Sequence, residues 1–288
     1  MIQFHQGIHA SGGVITEKDG KHCTLRIRVP AGVLSVDKMR GLADIAEKYG
    51  QENVHLTTRQ ALEISHVHNS RLEEIEKDLA GINTPVGSER DEVVNIVACP
   101  GTDRCKFANI DSISLAKKLD AKLFGKPMPV KMRISVSACP YACTSPVLNE
   151  VGITGVVTPF RSPGLCTGCG SCTEYCKEEA IKVKSGIAEV DHDKCIRCGV
   201  CIESCPFDLI NVSNRGYLIT VGGKRGRHPK IGRELVEVRT EEEVIDIVDR
   251  LVYYVYRRAW SGRLLSDQLD DIKFEEFKQE VLSGLEKS

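Results

Sequence analysis

With 288 residues, 41% hydrophobic and 27% charged, the chain has room for one large domain or two modest ones, each with a real core. Its 39 Lys and Arg nearly balance 40 Asp and Glu, so a net charge of −1 gives no global field for nucleic acid or an anionic membrane. No apolar run approaches the roughly 20 residues that span a bilayer, and MIQFHQGIHASGG lacks a signal peptide's basic and apolar regions, which predicts a cytoplasmic protein.

In LRIRVPAG, Arg26 and Arg28 alternate with Leu25 and Ile27, a strand with one apolar and one charged face. Ser35 is placed to cap a helix ending at Gly50, and Asn69 to cap another ending at Gly81. Cys23 reads as a small packing residue, and His66, His68 and His228 are assigned no role. VVNIVACPGTDRC is a strand-like run that breaks at Pro100-Gly101, with a helical pattern beginning near Asp103. VKMRISVSACPYAC is again a strand ending in a Cys-Pro turn. VGITGVV and YLITVGG are strand-like and flank an insertion over residues 160–212. Thr240 with Glu243 forms a capping box, after which Ile245, Val248, Val252 and Val255 share one apolar face. Trp260 and the segment after it are expected to pack on another subunit. Helices set between strand patterns predict an α+β fold.

Twelve of the thirteen cysteines sort into three quartets. Cys99, Cys105, Cys139 and Cys143 read C-x5-C, a long gap, then C-x3-C. Cys166, Cys169, Cys172 and Cys176 read C-x2-C-x2-C-x3-C, and Cys195, Cys198, Cys201 and Cys205 repeat it. Disulfides are disfavoured in a reducing cytosol, and thiolates are soft ligands for iron–sulfur clusters or zinc. Zinc ribbons show paired C-x2-C knuckles, so tight runs of four favour iron–sulfur. In the Cys99/Cys105/Cys139/Cys143 quartet each pair begins Cys-Pro at a strand end, which argues against inert buried thiols.

The two tight runs resemble bacterial two-cluster ferredoxins. The resemblance implies one [4Fe–4S] cluster on Cys166, Cys169, Cys172 and Cys205, and a second on Cys195, Cys198, Cys201 and Cys176. Pro206 follows Cys205 as that motif expects, whereas Lys177 replaces proline after Cys176. CPGTDRC followed by ACPYAC resembles the siroheme–[4Fe–4S] signature of the sulfite and nitrite reductases. LRIRVPAG, LTTRQ, NEVGITG and YLITVGGKRGRHPKIG extend the similarity over roughly residues 20–260. A ferredoxin insert at this point is a feature of anaerobic and dissimilatory sulfite reductases.

The resemblance implies a ferredoxin-like half-domain over residues 1–87 and a siroheme/[4Fe–4S] α+β domain over 88–159 and 213–260. A two-cluster ferredoxin insert over 160–212 and a helical extension over 261–288 complete the division. It implies a third [4Fe–4S] cluster on Cys99, Cys105, Cys139 and Cys143, with Cys143 also bridging to the siroheme iron. Siroheme's eight carboxylates and a small oxyanion substrate require fixed cations. Arg26, Arg104, Lys131 and Arg133 match the substrate-facing positions; Arg133 departs from the family's lysine but keeps the charge. Arg59, Lys224, Arg225 and Arg227 match positions for siroheme carboxylates. The activity implied is six-electron reduction of sulfite to sulfide, fed by an electron-donor protein or reductase subunit. Nitrite reduction on the same machinery and an electron-transfer subunit without siroheme are the rival readings. Larger members enclose the cofactor between two homologous halves, so a homo-oligomer or pairing with a paralogue is expected.

Overall fold

The structure is a computed structural model that describes residue 8 and residues 11–283. Most of the amino-terminal stretch read for a signal peptide lies outside the described residues. The first sheet is antiparallel, in the order β1 (Val14–Thr16), β2 (His22–Ile27), β4 (Leu62–His68), β3 (His55–Leu56). Along β2 burial alternates as the sequence alternates: Cys23, Leu25 and Ile27 point inward, and Thr24 and Arg26 stay part-exposed. The inward face meets α1 (Val36–Tyr49) and α2 (Leu72–Gly81) in a core that includes Leu42, Ile64, Ile75 and Leu79.

Ser35 caps α1 through the Lys38 N–H, and the helix ends at Gly50. Asn69 does not cap α2. It begins a 3-10 turn, Asn69–Arg71, and its side chain donates to the Gly20 carbonyl at 3.1 Å. That turn consumes the residues that would have formed an N-cap, so α2 starts with no side-chain cap. The β2–β4 register shifts between Cys23 and Leu25, and His66 adopts φ +60° at the resulting bulge. There its ring stacks on His22 with centroids 3.7 Å apart.

The second sheet is mixed, in the order β11 (Arg233–Val238), β10 (Ile210–Val221), β7 (Val151–Arg161), β6 (Ile134–Ser137), β5 (Val97–Ala98). β5, β6 and β7 run parallel, while β7, β10 and β11 are antiparallel. The parallel crossover requires a connecting helix, supplied by α3 (Ser112–Leu123), whose N-cap Asp111 accepts from Ser114 N. The helical pattern expected near Asp103 is a 3-10 turn, Gly101–Asp103, and α3 begins nine residues later. Gly101, at φ +58°, turns the chain back before the helix, leaving a loop that carries Cys105.

α6 (Glu241–Arg258) begins with the Thr240/Glu243 capping box and buries Val244, Val248, Leu251, Val252 and Val255. Ile245 packs only at the margin of that face. The segment after Trp260 folds back on its own chain. In α7 (Leu265–Gln268) and α8 (Phe274–Ser283), Leu265, Phe277 and Val281 join the same core, and Phe277 meets Tyr254 edge-on at 5.0 Å. Trp260 itself is 76% exposed.

β7 and β10 stay paired to Arg161 and Ile210, so residues 162–209 are the segment that leaves the sheet. It holds two short helices, α4 (Ser171–Tyr175) and α5 (Val200–Ser204), and a hairpin of β8 (Ile181–Lys184) and β9 (Ile187–Val190). Its sequence repeat is also a backbone repeat. Gly168 and Arg197, Gly170 and Gly199, and Glu179 and Asp208 occupy matching places and all have positive φ. Arg197, at φ +61°, therefore adopts a conformation that the first copy assigns to glycine.

Candidate active site

Cys99 follows β5 and Cys139 follows β6, adjacent parallel strands that bring the two Cys-Pro turns together at one end of the sheet. Cys99 Sγ accepts from Ala138 N at 3.1 Å and lies 3.3 Å from Ser112 Oγ, at the start of α3. Cys99 and Cys139 are buried, Cys105 is half-buried and Cys143 is exposed. Burial pushes the Cys139 thiol up to about 11, and its neighbours Cys105, Cys99 and Cys143 push it the same way. Thiols crowded together with little water around them are poor thiolates unless a cation joins them, which is what a metal cluster supplies.

Within the 162–209 segment the cysteines separate into two groups by exchanging their last members. Cys166, Cys169, Cys172 and Cys205 line one pocket with Gly168, Gly170 and Pro206. The other group is Cys176, Cys195, Cys198 and Cys201. Burial pushes Cys201 up to about 12, with Cys195, Cys198 and Cys176 adding to it. A backbone N–H group turns toward sulfur in each group: Leu209 N to Cys205 Sγ in the first and Arg197 N to Cys195 Sγ in the second, each at 3.4 Å. Cys23 lies apart from all of these, buried in the first core with its thiol on the Val67 carbonyl.

The basic residues occupy several settings. Arg26 and Lys131 meet at one carboxylate, Glu89, which accepts from Arg26 and, at 2.7 Å, from Lys131 Nζ; Arg26 Nε also donates to Glu63 at 3.0 Å. Arg133 donates to the buried Glu150 at 2.8 Å, and that ion pair raises its pKa. Lys224 pairs with Asp267 at 2.8 Å, and Arg225 donates to the Thr144 carbonyl at 2.7 Å, next to Cys143. Arg104 and Arg227 are exposed and make no side-chain hydrogen bond or ion pair among the described residues.

Arg59 is the most constrained of the set. Its Nη1 donates to Asn149 Oδ1 at 3.0 Å and its Nη2 to the Asn95 carbonyl at 2.7 Å, while its Nε is buried without a partner. Burial, and then the charge of Arg133, lower its pKa to about 10. A buried donor left over on a charged group is costly, and among the described residues no group accepts from it. The neighbouring Gln60 bonds to both edges of Ala98, at 2.7 and 2.9 Å, and so ties the first sheet to the residue preceding Cys99.

Gln60, Glu89 and Glu150 carry no sign of these contacts in the sequence, because their partners lie at least 17 residues away. A carboxylate between basic motif residues was the one available signal, and it has none of the spacing regularity of the cysteines.

Residues 15–82 match the nitrite/sulfite reductase ferredoxin-like half domain, and residues 89–288 match the nitrite and sulphite reductase 4Fe-4S domain. The chain is 32% identical over 282 residues to an uncharacterized protein of Methanocaldococcus jannaschii, covering 97% of each. It is 31% identical to the coenzyme F420-dependent sulfite reductase of the same organism, covering 96% of this chain but 44% of that one. A crystal structure of dissimilatory sulfite reductase I superposes with a TM-score of 0.79 at 18% identity, covering 97% of this chain and 75% of that chain. The chain thus belongs to the nitrite and sulfite reductase family, whose members carry siroheme and a [4Fe–4S] cluster.

Proposed function

We propose that the protein is a siroheme-dependent sulfite reductase that takes sulfite to sulfide with six electrons delivered through clusters in the 162–209 segment. The observation that carries this reading is the convergence of four thiols, together with a group of neighbouring arginines, Arg59, Arg133 and Arg225, that Gln60 ties to the residue preceding Cys99. Cys99, Cys105, Cys139 and Cys143 would hold the catalytic cluster, and the exposure of Cys143 suits it to join that cluster to siroheme. Siroheme, when bound, would supply the redox chemistry of sulfite reduction.

This chain's own residues bind and protonate. Arg59, with Lys224, Arg225 and Arg227, would hold cofactor carboxylates, Arg59 through the Nε that lacks a partner. Arg26, Arg104, Lys131 and Arg133 would hold the oxyanion; Lys131 Nζ is the proton donor among them, since guanidinium groups do not release protons near neutral pH. For bisulfite, six electrons and six protons yield hydrosulfide and three waters. The electrons come from an external donor protein or reductase subunit, first to the clusters of the two tight quartets. Among the described residues no helix is long and apolar enough to cross a membrane, and we assign the protein to the cytoplasm, as an oligomer or paired with a paralogue.

Anaerobically purified protein should display a chlorin-type visible spectrum that shifts on sulfite addition, and kcat/KM should favour sulfite over nitrite. A higher kcat/KM for nitrite would make it a nitrite reductase on the same machinery. Cluster absorption without a chlorin band, after reconstitution with siroheme, would reduce it to an electron-transfer subunit.

A further inference from the structure

The two cysteine groups of the 162–209 segment are not equivalent in how they meet the rest of the molecule. Among the described residues, no hydrogen bond or ion pair runs from residues 165–176 to anything outside the segment and its two flanking strands. The second copy is clamped. Val157 N donates to the Arg197 carbonyl at 3.0 Å, and the Arg197 guanidinium pairs with Glu237 on β11. Between them stands Asn109, 6% exposed, on the loop that leads into α3.

Asn109 faces two cysteine sites at once. Its Nδ2 donates to the Cys198 carbonyl at 3.4 Å and to the Gly155 carbonyl at 3.3 Å. Its backbone N–H donates to the Ala138 carbonyl at 2.8 Å. Ala138 is joined through that carbonyl to Cys139, and its own N–H lies on Cys99 Sγ at 3.1 Å. A continuous chain of covalent and hydrogen bonds thus runs from a residue of one cysteine group to two residues of another. The fit is close: a Cβ on Gly199 would sit 3.1 Å from Asn109 Oδ1 and 2.8 Å from Val157 Cγ2.

We propose that Asn109 is a positioning residue that sets the electronic contact between the Cys176/Cys195/Cys198/Cys201 site and the Cys99/Cys105/Cys139/Cys143 site. The order of electron flow follows. The Cys166/Cys169/Cys172/Cys205 site is outer and receives electrons, and the site that contains Cys198 is inner and passes them through the Asn109 junction. This rests on the reading that the three quartets hold clusters.

The test uses anaerobic holoenzyme and the variant Asn109→Leu, which keeps the branched outline and removes the amide donor, with Asn109→Ala as a second, smaller variant should the first fail to fold. Iron and siroheme per chain are measured first, then the electron-spin coupling between reduced clusters, then the freeze-quenched rate at which the insert is oxidised after mixing with sulfite. With full iron and siroheme, the variant should show weaker coupling and a transfer rate lower by about tenfold or more, the scale on which small misplacements act. Reduction of the insert by its donor should be unchanged. Unaltered coupling and transfer rate in a fully loaded variant would overturn the role of Asn109. Wild-type protein with iron for fewer than three clusters would instead overturn the reading beneath it.

Discussion

Glu89 lies where the proposed substrate cations are, and replacing Glu89 by glutamine removes its charge while keeping its shape. Arg26 donates to one carboxylate oxygen of Glu89 and Lys131 to the other, so the glutamine's single amide oxygen keeps only one of the two bonds; the other cation is left to the anion, and the pocket gains one unit of positive charge. An anion held by those two groups would sit roughly 6 Å from that carboxylate. At an effective dielectric of about 40, removing the negative charge favours the anion by about 1.4 kcal/mol, or roughly tenfold in affinity. The opposing cost is small, because Glu89 and Lys131 are 29% and 33% exposed and a screened ion pair contributes about 1 kcal/mol or less to stability. Steady-state kinetics on Glu89→Gln with sulfite should therefore give a KM lower by about tenfold, with siroheme content unchanged. A KM that stays constant or rises would refute the placement of Arg26 and Lys131 at the substrate.

Arg59→Met should lower siroheme per chain while leaving iron in the 162–209 segment intact, read from the visible spectrum and iron content; full siroheme would remove Arg59 from the cofactor site. Gly155→Ala puts a Cβ 2.5 Å from the Ala138 carbonyl and should destabilise the fold by about 2 kcal/mol in chemical denaturation. Phe277→Ala should cost about 3–5 kcal/mol and leave the oligomeric state unchanged by analytical ultracentrifugation, because its ring fills this chain's own core. Burial pushes Asp249 up, but Lys122 and Lys126, both at 3.0 Å, hold it below the ordinary carboxylate value. Its contribution is therefore present above about pH 4 and lost as pH falls through the depressed value. Asp249→Asn should cost about 1 kcal/mol at neutral pH, a difference that closes in acid.

Local signals were the legible ones. The Ser35 cap, the Gly50 stop and the Thr240/Glu243 box are written in adjacent residues, and each is made where the sequence puts it. Asn69 and Asp103 failed for a common reason: each belongs to a 3-10 turn, which uses the same residue types as a helix start without committing to one. The sequence of the tail could not say whose core it would join; Leu265, Phe277 and Val281 join this chain's own. In the site the cysteines were legible because ligand spacing is short-range. The carboxylates on Arg26, Lys131 and Arg133 were not, since each comes from a strand or loop at least 17 residues away that only the folded chain brings near. Asn109 was hidden for the same reason: its partners Ala138, Gly155 and Cys198 lie 29, 46 and 89 residues away.

The most direct measurement is sulfide production by the anaerobically purified, siroheme-loaded protein supplied with a low-potential electron donor and sulfite. One sulfide should appear for every six electrons consumed. Loaded protein that oxidises its donor without forming sulfide, or forms none at all, would contradict the assignment.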